Sequence, residues 1–160
     1  MHTLTVEGNN GIVGKTMTVT PTDYDNPWYY KDTAFTSDDI GDLFGFVYRI
    51  TNLQSGKQYI GRKYFWQKRK PRGGGRKVTS ESDWKKYYGS CPELTADRKL
   101  LGDSSFKREI ISLHKTSGWV NYEETKQLFL NNVLEEKFEN NEPMYYNSNI
   151  LGRYMRKNYG

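Results

Sequence analysis

The sequence predicts an α+β fold: a small three-stranded antiparallel sheet flanked by helices, with an N-terminal extension. Three observations lead there. Residues 44–51 (FGFVYRIT) are dense in aromatic and β-branched side chains, which suit a half-buried pleated surface. Turn-forming residues 52–56 (NLQSG) join them to a second short strand at 57–61 (KQYIG), so the two read as a hairpin. Residues 106–114 (FKREIISLH) carry the strand pattern a third time, after two short helical segments.

The elements follow in order. Residues 1–41 read as an extension or arm, 42–150 as the domain and 151–160 as a basic tail. In the arm, Val6, Ile12, Val13, Met17 and Val19 lie scattered among Thr, Gly and Asn, as in a short hairpin or an ordered lead-in. Residues 26–35 (NPWYYKDTAF) read as a loop or edge strand. Residues 62–70 are expected to start a helix that Pro71 and the Gly73-Gly74-Gly75 run must end. Residues 82–88 predict a short helix capped by Ser82 or Asp83 and ended by Gly89. Residues 93–101 predict another, with Pro92 in its first turn and Gly102 just past its end. The strongest helix is expected at 121–136, where Asn121 and Glu124 have capping-box spacing. Its core stripe is read as Tyr122, Lys126, Phe129, Leu130 and Val133, with Glu124 almost opposite. Residues 145–150 read as a loop or short strand. Trp84, Trp119 and Phe129 are assigned to the core, and Trp66 to either packing or base stacking.

Composition excludes several classes. At 160 residues, one domain is expected. Apolar residues make up 35% and the mean hydropathy is −0.90, so a polar, soluble, cytoplasmic chain is expected, with no membrane partner. No apolar run approaches the ~20 residues of a membrane span, and the start lacks the features of a signal peptide. One cysteine, Cys91, excludes an internal disulfide framework. One Cys and two His (His2, His114) also exclude a structural Cys/His zinc site.

Charge is unevenly distributed. The net charge is +5, but residues 62–77 (RKYFWQKRKPRGGGRK) hold eight Lys/Arg and no acid. The rest of the chain carries 16 basic and 19 acidic residues. A local positive patch with interleaved aromatics and glycines suits a phosphate backbone. Arg62, Lys63, Lys68, Lys70, Arg72, Arg76 and Lys77 are therefore the candidate nucleic-acid contacts.

Tyr48 and Tyr59 bracket the hairpin, eleven residues apart. Pairing around the turn can bring both to one local face. Tyrosine, at pKa ~10, is a poor base unless cations lower that value, and the adjacent basic run supplies cations. Two tyrosines and an arginine around a phosphate, with a carboxylate-held metal, make a coherent phosphodiester-cleaving set.

These residues resemble the GIY-YIG nuclease family. Phe46-Val47-Tyr48 and Tyr59-Ile60-Gly61 are similar to its two signature triplets. Phe and Val stand where the first triplet has Gly and Ile, and Gly45 lies one place earlier. The blocks GFVYRITN, YIGRK, SDWKKYYGS, FKREI and NYEE resemble phage-type stand-alone, homing-endonuclease-like members over about residues 45–147.

The resemblance implies Mg²⁺- or Mn²⁺-dependent endonuclease action on double-stranded DNA, by hydrolysis or nicking. It implies Tyr48 as general base or water positioner, Tyr59 as its support or a phosphate ligand, and Arg69 as stabiliser of the pentavalent phosphate. Asn147, in Tyr146-Asn147, would hydrogen-bond within the site. Arg62, directly after Gly61, competes with Arg69, and Lys126 is a further alternative for binding phosphate or depressing a tyrosine pKa. The family's metal-binding Glu on the long helix has Glu123 and Glu124 as candidates, with Glu124 adopted. Tyr87 and Tyr88, with Lys86, stand in for a further family His or Tyr. A non-catalytic DNA-binding module on the same fold is the alternative. A third reading uses Trp28-Tyr29-Tyr30 to contact a protein partner. The chain would act as a monomer or a dimer.

Overall fold

The computed structural model describes residues 4–7, 16–19 and 23–158. Strands β1 (Leu4–Glu7) and β2 (Thr16–Val19) pair antiparallel, Leu4 opposite Val19. Of the scattered apolar residues, Ile12 and Val13 lie outside the described residues.

The aromatic segment after Pro27 forms β3 (Trp28–Tyr30), which turns back into β4 (Thr33–Ala34). Lys31 and Asp32 make the turn with φ of 48° and 65°. The predicted hairpin is β5 (Gly45–Asn52) and β6 (Gln58–Tyr64), antiparallel, with Tyr48 opposite Gly61. After it comes a second, unpredicted hairpin of β7 (Trp66–Arg69) and β8 (Val78–Glu81). Helix α1 spans Pro92–Leu101, β9 Phe106–His114 and α2 Ser117–Leu130. A small ladder of β10 (Asn149–Ile150) and β11 (Tyr154–Met155) follows.

The α+β class holds, but the expected three-stranded antiparallel sheet is the centre of a five-stranded mixed one. Its order is β4-β3-β9-β5-β6. The extra strands come from residues 28–34, and β3 runs parallel to β9. Arg108 explains why this segment docks. Its buried guanidinium donates to the carbonyl oxygens of Asn26 (2.6 Å) and Tyr87 (2.8 Å), and it lies over the Trp28 ring at 4.7 Å. A buried cation is tolerated only when its donors are satisfied, and the lead-in carbonyls satisfy these.

The sheet is covered on both sides, so β5 is buried along almost its whole length. Phe46, Tyr48 and Ile50 point into a cluster with Trp28, Phe65, Trp84, Leu94 and Phe106. Val47 points the other way, to Ile60, Val120, Leu128 and Val133. Burying each such side chain is worth about 1.5–3 kcal/mol. On β9, Ile111 is the extra residue of a bulge opposite the Val47–Tyr48 junction.

Local expectations fail where a partner segment decides. Residues 62–70 are strand, not helix: the aromatics Tyr64, Phe65 and Trp66 continue the β path, and residues 78–81 pair with it. Residues 82–88 form only one 3₁₀ turn (Trp84–Lys86), because Asp83 pairs with Lys63 at 2.7 Å instead of capping. Helix α1 starts at Pro92 and stops at Gly102 (φ 88°), as the sequence predicts.

Helix α2 starts four residues before the expected Asn121. The Thr116 hydroxyl accepts the Trp119 backbone N–H at 3.2 Å, so the cap is Thr116 and there is no Asn121–Glu124 box. The helix ends at Asn131, whose side chain donates to the Gln127 carbonyl at 2.8 Å, and Asn132 turns left-handed at φ 50°. Its inward face carries the buried Val120 and Leu128 with the half-buried Glu124 between them, at four-residue spacing, not the expected stripe. Tyr122, Lys126, Phe129 and Leu130 are exposed, as is Trp119, while Val133 is buried beyond the helix end.

Candidate active site

Strand β6 is one edge of the five-stranded sheet, bridged at Gln58 by Tyr145, and the site forms along it. Side chains alternate along a strand, so Tyr59, Gly61 and Lys63 face the Tyr48 side. Ile60, Arg62 and Tyr64 face α2. The edge therefore gathers groups from both faces.

Tyr48 is fully buried, its ring packed against Trp28 at 4.9 Å, Tyr87 at 6.1 Å and Tyr59 at 6.2 Å. Its phenol points at Gly61 and Gly89. A Cβ on Gly61 would collide with the Tyr48 hydroxyl and lie 2.6 Å from its Cζ. A Cβ on Gly89 would lie 2.9 Å from the Tyr59 ring, and Gly89 also has φ of 86°. Both glycines are required by close approach, and they leave room for the hydroxyl to reach the edge.

The tyrosines are not acidified as the charge pattern suggests. Burial pushes the Tyr48 phenol well above its ordinary value of 10.0, with the neighbouring Tyr59 and Tyr87 hydroxyls and the Glu124 charge adding to it. Burial likewise pushes Tyr59 up to about 12, against a hydrogen bond from Ser90 that acts downward. Both are neutral hydroxyls near pH 7.

Glu124 approaches from α2, one turn after Val120 and one before Leu128. Its position on the inward face turns it, half-buried, toward β6, where Oε1 meets Arg62 Nε at 3.4 Å. Burial raises its pKa above the usual 4.5, and the Arg62 cation offsets only part of this. Tyr59, Ser90, Glu124 and Asn147 line one cleft of ≈ 270 Å³ at the edge strand.

Asn147 is buried and holds the Tyr59-Ile60-Gly61 backbone. Its Oδ1 accepts from Ile60 N–H at 3.0 Å and its Nδ2 donates to Ile60 C=O at 2.8 Å. These bonds satisfy the edge backbone where a sixth strand would otherwise pair. Arg156 secures the same loop by donating to the carbonyls of Tyr145 (2.8 Å) and Asn147 (2.9 Å). Next door, the Tyr146 hydroxyl donates to Asp97 at 2.6 Å and accepts from Asn52 at 3.1 Å.

The structure thus brings together Tyr48, Tyr59, Arg62, Glu124 and Asn147. Arg69 does not join them: it lies exposed on β7, with Asp83 as its charged neighbour. Lys126 is half exposed and faces Glu123 at 3.9 Å. Lys63 pairs with Asp83 and lies over the Tyr87 ring at 4.1 Å. Lys68, Lys70, Arg72, Arg76 and Lys77 sit on the β7–β8 hairpin, all exposed. Of the candidate substitutes, Tyr87 reaches Tyr48. Tyr88 instead stacks under Arg98 (3.7 Å) and Arg108 (4.2 Å). Reading the sequence marked Gly89 only as a helix end, and did not single out Ser90 or Arg156. The Tyr-Tyr-Gly-Ser run, with glycine directly after two aromatics, was the available signal for the first two.

Among the described residues, no three His, Cys, Asp or Glu side chains cluster to form a protein-only metal cage. The donor set at Glu124 is one carboxylate in a cleft open to substrate. This suits an ion such as Mg²⁺, which keeps several waters and binds through one or two carboxylates plus substrate phosphate. No helix among the described residues is long and apolar enough to cross a membrane.

A family model described as "Putative endonuclease segE, GIY-YIG domain" matches residues 28–150. The match begins at β3, so it includes the strand that Arg108 ties to the sheet. No curated protein and no solved structure is matched. With most of its length covered by that model, from Trp28 to Ile150, the chain belongs to the segE-type GIY-YIG endonuclease family.

Proposed function

We propose that the chain is a divalent-metal-dependent endonuclease that hydrolyses a phosphodiester of double-stranded DNA, with Mg²⁺ or Mn²⁺ held by Glu124. The observation that carries this is the pairing of Arg62 with Glu124 at 3.4 Å, where Glu124 itself lines one cleft with Tyr59. An acid and a base from opposite elements, beside a phenol, provide for both a cation and a phosphate.

In this reading the phosphate enters the cleft and Arg62 exchanges part of its hold on Glu124 for the phosphoryl oxygens. Its guanidinium then stabilises the extra negative charge of the pentavalent transition state. Tyr59, a neutral phenol, donates to a phosphoryl oxygen. Tyr48, also protonated, orients the attacking water and is not the base. Water adds to phosphorus as it gives up a proton to solvent, the P–O ester bond breaks, and the leaving oxygen takes a proton back from solvent. A metal held by Glu124 would supply charge neutralisation and lower the pKa of the attacking water. Asn147 keeps the edge backbone in register. Arg69 is assigned to DNA binding.

Supercoiled plasmid incubated with Mg²⁺, Mn²⁺ or EDTA tests the reading. Metal-dependent nicking, lost in Tyr59→Phe and Glu124→Gln, is expected. No cleavage of varied DNA in either metal would overturn it. One observation favours the alternative of a non-catalytic DNA-binding module: Arg62 already neutralises Glu124. That module would keep salt-sensitive binding and show no cutting.

A further inference from the structure

The β7–β8 hairpin takes no part in the catalytic cleft, yet it carries the strongest charge in the molecule. Lys68, Arg69, Lys70, Arg72, Arg76 and Lys77 all lie on it, exposed, and none is in an ion pair among the described residues. Four residue pairs form the ladder, about 14 Å long at ~3.4 Å per residue. Beyond it, residues 70–77 form the tip. There Gly74 N–H bonds the Pro71 carbonyl at 3.1 Å, and Gly73, Gly74 and Gly75 have φ of 97°, 92° and 104°. The element is a two-stranded ribbon with a narrow glycine tip.

Its two faces differ. Trp66 and Glu81, opposite each other, turn to the body: Trp66 Nε1 donates to the Leu43 carbonyl at 3.2 Å, and Glu81 accepts from the Ser37 hydroxyl at 3.1 Å. By alternation, Gln67 with Ser80 and Arg69 with Val78 share the opposite face. Val78 is 54% exposed there.

The geometry points to this ribbon as the part that reads the DNA sequence, laid in the major groove with the Gln67/Arg69/Val78/Ser80 face on the base edges. The inference rests on the nuclease reading above. The groove, about 12 Å wide, admits a two-stranded ribbon, and these residue types match its code. Glutamine pairs with adenine, arginine with guanine, serine with several edges, and an apolar group with the thymine methyl. The tip cations bind phosphate and set the register. The ribbon continues from β6 through the single residue Phe65. Arg62 and Arg69 are thus at most about 24 Å apart along the chain, so the recognised bases lie within about seven base pairs of the cut.

Two readouts on the full-length chain test this. Cut sites on a randomised DNA library are sequenced in Mg²⁺, and bound sequences are selected in EDTA. The wild type is expected to prefer a short window to one side of the cut. Gln67→Ala and Arg69→Ala are each expected to flatten one position of that window by about tenfold or more. Arg72→Ala with Arg76→Ala is expected to weaken binding to all sequences and reduce the salt slope by about two. Cutting with no preference, or with a window the first two variants leave intact, overturns the ribbon and spares the nuclease. If nothing is cut, the nuclease reading fails. Selection in EDTA then decides the ribbon alone: enrichment lost in Gln67→Ala and Arg69→Ala supports it, and no enrichment overturns it.

Discussion

The phenol of Tyr48 occupies the space in which a side chain on residue 61 would begin. The two residues face each other across the β5–β6 ladder, so the second triplet's glycine and the first triplet's tyrosine are one steric unit. This predicts the outcome of Gly61→Ala. The new Cβ would stand 2.6 Å from Tyr48 Cζ, a ring atom fixed by the core. Overpacking of this kind costs roughly 1–3 kcal/mol. Adding Tyr48→Phe should recover little, because the ring carbon itself is in the way. Thermal melts of the single and double variants check this. Full recovery on removing the hydroxyl would refute it.

Asn147→Ala removes both hydrogen bonds to the Ile60 peptide in a buried place. Each buried group left unsatisfied costs about 1–3 kcal/mol. Urea unfolding should therefore show a loss of about 2–6 kcal/mol. Asn147→Asp should remain impaired, because a carboxylate can accept from Ile60 N–H but repels Ile60 C=O.

Arg62 and Arg69 separate by kinetics. Under saturating DNA, Arg62→Ala should slow single-turnover cleavage by about 10²–10³-fold, as for loss of a transition-state donor. Arg69→Ala should leave the saturated rate near normal and act on DNA binding and its sequence preference. A large loss of the saturated rate in Arg69→Ala, with Arg62→Ala near normal, would reverse the assignment.

The pH behaviour follows from three raised groups, Glu124, Tyr48 and Tyr59. Glu124 has its pKa raised by burial, so the folded state holds its proton more tightly than the unfolded state. Its contribution is fully present below the ordinary carboxyl pKa and is lost as pH rises through the raised one. At neutral pH its charge therefore costs stability. In EDTA, Glu124→Gln should melt higher than the wild type at pH 7, with the gain shrinking toward pH 4. A lower melting temperature at pH 7 would contradict this.

Tyr48 and Tyr59 are raised from 10.0 by burial, Tyr59 to about 12. Their stabilising contribution is complete below the unfolded value near 10 and lost as pH rises through the folded values. The cleavage rate should show no tyrosine ionisation below about pH 9. A basic limb near pH 7 that disappears in Tyr48→Phe would restore Tyr48 as the base.

Much of this was legible in the chain itself. The 44–51 run, its five-residue turn and the 106–114 run become adjacent strands because their β-branched and aromatic density is local information. Helix α1 was legible because Pro92 and Gly102 mark its ends by backbone chemistry alone. The two tyrosine triplets, at eleven-residue spacing, pointed to the family that the 28–150 match establishes.

The sequence by itself therefore determined the central strands, the first helix, the location of the positive patch and the family. Each rests on neighbours within a few residues, or on an ordered set of motifs. Tertiary structure alone decided the rest. It turned α2 so that Glu124 lies half-buried between the buried Val120 and Leu128, on the face that packs against β5 and β6. It also made a ribbon of the expected arginine helix, because residues 78–81 were there to pair with 66–69. It chose Arg62 over Arg69 for the company of Glu124, and seated Asn147 on the Ile60 peptide 87 residues away in sequence. Such pairings depend on which distant segment arrives opposite, and no local propensity encodes that.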